Sequence, residues 1–124
     1  MSEADALRLA ALLVGVVLGA GAVVVAVVVQ QAAAGRLGPN SWAGMRTKET
    51  LAGPRQWREA HRAALGATWI GAIGTVAAGL LAVQIRDAAL LAGVLVAGAV
   101  WALVWVLIGL ARGEQAAREV SRRR

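Results

Sequence analysis

Between Leu9 and Val29 no charge, amide or hydroxyl interrupts the chain. A second apolar block runs over 63–83, broken only by Thr68, Thr75 and the indole of Trp69. A third runs over 88–111, where the only polar side-chain atoms are the indole nitrogens of Trp101 and Trp105. A helix rises about 1.5 Å per residue, so each block reaches about 30 Å, the thickness of a bilayer's hydrocarbon core. The pattern predicts an all-α integral membrane protein, a single membrane domain over 1–124, with transmembrane helices over about 9–29, 63–83 and 88–111. Only Gln84–Asp87 separate the last two blocks, so those helices are antiparallel neighbours. The small residues of "QAAAG" at 31–35 resemble a signal-peptidase site, but Glu3 and Asp5 precede the first block and the block is long for a signal core. A retained helix is the better reading.

Composition strengthens the picture. Hydrophobic residues make up 59% of the chain, and the mean hydropathy is +0.65, which leaves little material for a soluble body. Cysteine is absent, which excludes disulfides and thiol chemistry. The abundance of Ala, Gly, Val and Arg is what GC-rich codons supply, consistent with a bacterial source.

Charge sets the orientation. Arg36, Arg46, Lys48, Arg55, Arg58 and Arg62 lie in the 30–62 loop, and Arg112, Arg118, Arg122, Arg123 and Arg124 lie in the tail; only Arg8 and Arg86 lie on the other side. Lys and Arg collect in cytoplasmic loops, which puts the N-terminus outside and the 30–62 loop and the 112–124 tail inside the bacterial inner membrane. The net charge of +6 is read as topology signals resting against anionic lipid headgroups, each contributing about 1 kcal/mol near the surface. No aromatic-interleaved basic surface suggests nucleic acid. The tail, with Glu114 and Arg118 four apart, is expected to extend the third helix by a turn or two and then fray.

Small residues recur at four-residue spacing: Gly15 and Gly19 in the first block, Gly71, Thr75 and Gly79 in the second, Ala89, Gly93 and Ala97 in the third, continued by Trp101 and Trp105. Such stripes let helix backbones approach closely. They are expected to serve packing in a three-helix bundle, with a homo-oligomer as the alternative use. No ionisable residue lies inside any block, and none is broken by proline. That argues against an ion-coupled transporter, leaving a small homo-oligomeric one as a minor alternative.

Chemistry is therefore confined to the loop and tail. His61 is the sole histidine, so no zinc site or nucleophile–base pair can be assembled within one chain. No enzymatic activity, cofactor or metal is expected. Gly53-Pro54 reads as a helix start with proline at the first position. A short interfacial helix over about 54–62 would place Trp57 and His61 on one face and Arg55, Arg58, Glu59 and Arg62 on the other, with an Arg55–Glu59 pair. Pro39 and Asn40 suit a turn. Arg46 offers a planar fork of donors that could take an anionic ligand or cap the carbonyls at a helix end, with Trp42 and Trp57 as interfacial anchors.

The stretch "NSWAGMRTKETLAGPRQWREAHRAALG" resembles the SdpI family of small bacterial membrane proteins. The residues that carry the resemblance are Asn40, Gly44, Arg46, Thr47, Thr50–Leu51, Trp57, His61–Arg62 and Gly66. It implies an immunity role against a peptide toxin, or membrane signalling with a regulatory protein. Asn40, Gly44, Arg46, Thr47, Trp57 and His61 then become the candidate ligand-binding or loop-ordering residues. A structural or anionic-lipid-binding component is the alternative.

Overall fold

A computed structural model describes all 124 residues. Three long helices make up most of the chain: α1 Glu3–Ala33, α2 Pro54–Gln84 and α3 Ala88–Arg122, with a single 3-10 turn at Thr50–Ala52. All three are long and apolar enough to cross a membrane. The 31 residues of α1 and of α2 give about 46 Å each, and the 35 of α3 about 52 Å, so every helix overhangs a hydrocarbon core of about 30 Å.

Local chemistry sets the ends. Ser2 caps α1: its Oγ accepts from the Asp5 amide, and the Asp5 carboxylate accepts from the Ser2 amide. This reciprocal box satisfies two otherwise orphaned donors. At the other end Gly35 takes φ +78°, and the Arg36 and Gly35 amides donate back to Gln31 and Ala32. That is a Schellman ending, which needs a residue tolerant of the left-handed region. Pro54 starts α2, and the Asp87 carboxylate caps α3 by accepting from the Leu90 amide.

α2 is the central helix, packed extensively on both α1 and α3, whereas α1 and α3 meet only sparsely. The α1–α2 seam is built on small residues. A Cβ at Gly79 would lie 3.6 Å from the Gly15 carbonyl oxygen, and one at Gly19 would lie 3.8 Å from Val76. On the other seam, the Trp101 indole lies over Gly74 and donates to the Ile70 carbonyl at 3.1 Å, while Trp105 covers Gly71. Thr68 and Thr75 return their hydroxyls to carbonyls one turn back, so neither brings an unpaired polar atom into the bundle. Val17, Leu80 and Val96 instead face outward.

Three expectations need correction. Residues 54–62 are not a separate interfacial helix, because α2 continues unbroken from Pro54. Ala60, Ala64 and Ala67 form one buried face across the expected junction, and nothing there breaks the helix. The tail does not fray after a turn or two. α3 runs to Arg122, since Gly113, Ala117 and Val120 are buried at this end. Finally, Ala89, Gly93 and Ala97 are exposed, and a Cβ at Gly93 would meet nothing. The packed face of α3 instead runs through Leu91, Leu95 and Gly98, because the helix is rotated to bring them against Ala82 and Ala78.

Candidate functional site

The connection between α1 and α2 is folded into a cap over the ends of α2 and α3. Asn40 organises its first half: Nδ2 donates to the Gly38 and Ala43 carbonyls at 2.9 and 3.1 Å, and Oδ1 accepts from the Trp42 and Ala43 amides at 2.8 Å each. An amide side chain supplies both donors and acceptor for such a turn. A hydrophobic residue of the same size would take the side-chain partner away from four backbone groups. Arg46 donates from Nη1 to the Ser41 carbonyl, closing the same turn.

The second half is fastened by backbone. Met45 uses both of its polar groups. Its amide donates to His61 Nε2 at 2.9 Å, and its carbonyl accepts the Thr50 hydroxyl at 2.6 Å. Thr47 and Thr50 cap one another: each amide donates to the other's Oγ1, at 2.9 and 3.2 Å. Thr50 is fully buried.

Below this turn lie Trp57 and His61, at most 1% exposed, with ring centroids 4.3 Å apart. The indole donates to the Leu37 carbonyl at 2.8 Å. His61 Nδ1 lies 2.7 Å from the Trp57 carbonyl. Because Nε2 accepts, the proton belongs on Nδ1, and the ring is neutral with both nitrogens engaged. Burial pushes the His61 pKa below its ordinary value, against an opposing effect from the Trp57 carbonyl. Gly44 passes over both rings at φ +101°, and a Cβ there would fall 2.6 Å from Trp57 and 2.8 Å from His61. Only glycine fits.

Other contacts join the cap to α3 and α1. The Met45 thioether lies against Gly113, Gln56 donates to Ser121 at 3.3 Å, and Arg118 lies 3.7 Å from both Glu49 and Glu114. Arg62 donates from Nε to the Ala33 carbonyl at the end of α1, at 3.1 Å.

The structure thus gathers Asn40, Gly44, Arg46, Thr47, Trp57 and His61 into one unit. Several expected details differ. Helix-end capping falls to Arg62, while Arg46 serves the loop itself, because Arg62 is the arginine that α2 carries past the end of α1. Glu59 pairs with Arg62 at 3.1 Å, so the expected Arg55–Glu59 pair is replaced by one three residues apart. Trp57 is buried in protein and is no interfacial anchor; Trp42, 89% exposed, is the indole that projects from the cap. Met45, Gln56 and Ser121 carried no sequence signal, since two of them act through helix proximity and Met45 acts largely through its backbone.

Trp42, Arg46 and Lys48 are all exposed on the cap. Its chemistry suits an anionic or amphipathic binding partner. A family model described as the SdpI/YfhL protein family matches residues 36–110, which takes in the cap, α2 and most of α3. No curated protein and no solved structure matches the chain.

Proposed function

Since the chain belongs to the SdpI/YfhL protein family, we propose that it is a non-enzymatic, multi-pass protein of the bacterial inner membrane, acting in peptide-toxin immunity or membrane signalling through its cap. The observation that carries this reading is the division of labour in the loop. Trp57 and His61 are spent on holding it down, while Trp42 is held out. A loop serving only as a connector has no need of a buried latch beneath a fully exposed indole.

The cap and the end of α3 occupy the same end of the molecule, so eleven of the thirteen basic residues belong to that end and two to the other. This supports a cytoplasmic cap and an external N-terminus. The only histidine is committed to the latch, which supports a role without catalysis. A second reading has its own support: an exposed indole in the same loop as exposed Arg46 and Lys48 is also the pattern of an anchor in anionic headgroups.

Deletion and complementation test the leading proposal. Loss of the gene is expected to sensitise its host to a membrane-active peptide secreted by the same or a neighbouring strain. Wild-type protein should restore resistance, and Trp42→Ala/Arg46→Ala at equal membrane abundance should not. Full resistance with the double variant would remove the cap from the function. Unchanged resistance alongside weaker binding to anionic vesicles would favour the lipid anchor instead.

A further inference from the structure

At the end opposite the cap, a cavity of about 440 Å³ lies between the first turns of α1 and α3, beside the Ile85–Asp87 turn. Leu7, Ala11 and Leu91 form its apolar wall; Asp5, Arg8 and Arg86 bring charge to it. The arginines are incompletely used. Arg8 donates from Nη2 to the Val83 carbonyl at 3.1 Å, which fixes its fork at the end of α2, yet its Nε is buried without a partner. Arg86 belongs to none of the ion pairs.

The carboxylates are differently placed. Asp87 is occupied at Oδ1 with the Leu90 amide. In Asp5 both Ser2 donors fall on Oδ2, leaving Oδ1 open. The same two hydrogen bonds hold Asp5 below the usual carboxylate range, so it stays ionised at neutral pH. Asp5 and Arg8 are three residues apart on one helix face, about 5–6 Å between their Cβ atoms, and they do not close on each other as an ion pair.

We infer that this cavity is a headgroup site for a zwitterionic aminophospholipid of the phosphatidylethanolamine type. The phosphate sits between Arg8 and Arg86, the ammonium donates to Asp5, and an acyl chain descends along Leu7, Ala11 and Ala92. Both signs of charge in one pocket decide the headgroup. A glycerol headgroup has no cation for Asp5, and a choline has no N–H to donate. The wall decides in favour of a lipid over a free headgroup, since six of the nine residues that line the site are apolar. The inference rests on the three helices spanning the bilayer, which resistance to alkaline carbonate extraction checks separately.

The test is native mass spectrometry of the full chain in detergent, with matched-chain phosphatidylethanolamine, phosphatidylglycerol and phosphatidylcholine in competition. Phosphatidylethanolamine should be retained preferentially. Arg86→Gln should weaken its retention about tenfold, the loss of one charge-assisted contact, without disturbing the fold, because Arg86 is exposed. Asp5→Asn should erase the preference over phosphatidylcholine. Equal retention of all three lipids would overturn the inference, as would an Arg86→Gln protein that binds like wild type. Displacement of the lipid by free phosphoethanolamine at equal concentration would overturn the role given to the apolar wall.

Discussion

Replacing Gly44 by alanine adds one methyl group at the point where the cap crosses its latch. The new Cβ would lie 2.6 Å from Trp57 Cη2, 2.8 Å from His61 Nε2 and 2.9 Å from Trp57 Cζ2. Neither ring is free to retreat, because the indole is tied to Leu37 and both imidazole nitrogens are engaged. An L-residue at φ +101° costs about 1–2 kcal/mol, and overpacking a fixed site adds about 1–3 kcal/mol. The sum, about 2–5 kcal/mol, is set against the two hydrogen bonds that fasten the cap to α2: Met45 to His61 and Trp57 to Leu37. At about 0.5–1.5 kcal/mol each, they contribute no more than the methyl group costs. The cap should therefore lift while the helices stay intact. With Trp57 as the only tryptophan, Gly44→Ala should red-shift its emission and open it to aqueous quenchers, at unchanged helical content by far-UV circular dichroism. Gly66→Ala is the control. It sits in α2 with nothing within 4 Å of its Cβ position, and alanine gains about 0.8–1 kcal/mol there from helix propensity. Emission from Gly44→Ala as blue-shifted and shielded as that of the parent would refute the reasoning.

His61 makes the same latch sensitive to acid. Its pKa is depressed in the folded protein, so its contribution is complete above the ordinary value of about 6.5 and fades as pH falls below it, when protonated Nε2 can no longer accept from Met45. The protection factor of the Met45 amide against hydrogen exchange should fall between pH 7.5 and 5, and His61→Gln should abolish that pH dependence; a constant protection factor in wild type would contradict the latch. For topology, a cysteine at Gln84 should react with an impermeant reagent in intact cells and one at Ser121 only after permeabilisation. The reverse pattern would invert the orientation.

The helices were legible because twenty or more apolar residues in succession have few alternatives to a spanning helix. Their ends were less so. Hydrophobicity marks where a helix can stay in hydrocarbon, but α1 starts at the Ser2 box and α3 runs to Arg122; capping and cap contacts, rather than apolarity, decide those limits. For residues 54–62 the two faces were read correctly and their surroundings were not. An amphipathic segment beside a membrane can bury its apolar face in lipid or beneath another part of the chain. Gln56, which the sequence did not single out, is buried beside Trp57 and donates to Ser121, which marks these surroundings as protein. The motif residues stood out by type and spacing. Their pairing, above all Met45 with His61 and Thr50, depends on a chain reversal that no periodicity encodes.

Clamping α2 to α3 at both ends has a mechanical consequence. One end is closed by the short Ile85–Asp87 turn, and the other by Met45 on Gly113, Gln56 with Ser121 and Glu49 with Arg118. Two rods joined at both ends resist shear and splay, so the pair behaves as a plate. α1 packs extensively on α2 of this plate, with side-chain hydrogen bonds from Arg8, Arg62 and Trp69 added to that packing. Separating α2 from α3 therefore requires breaking the contacts at both ends at once, on top of the packing between them.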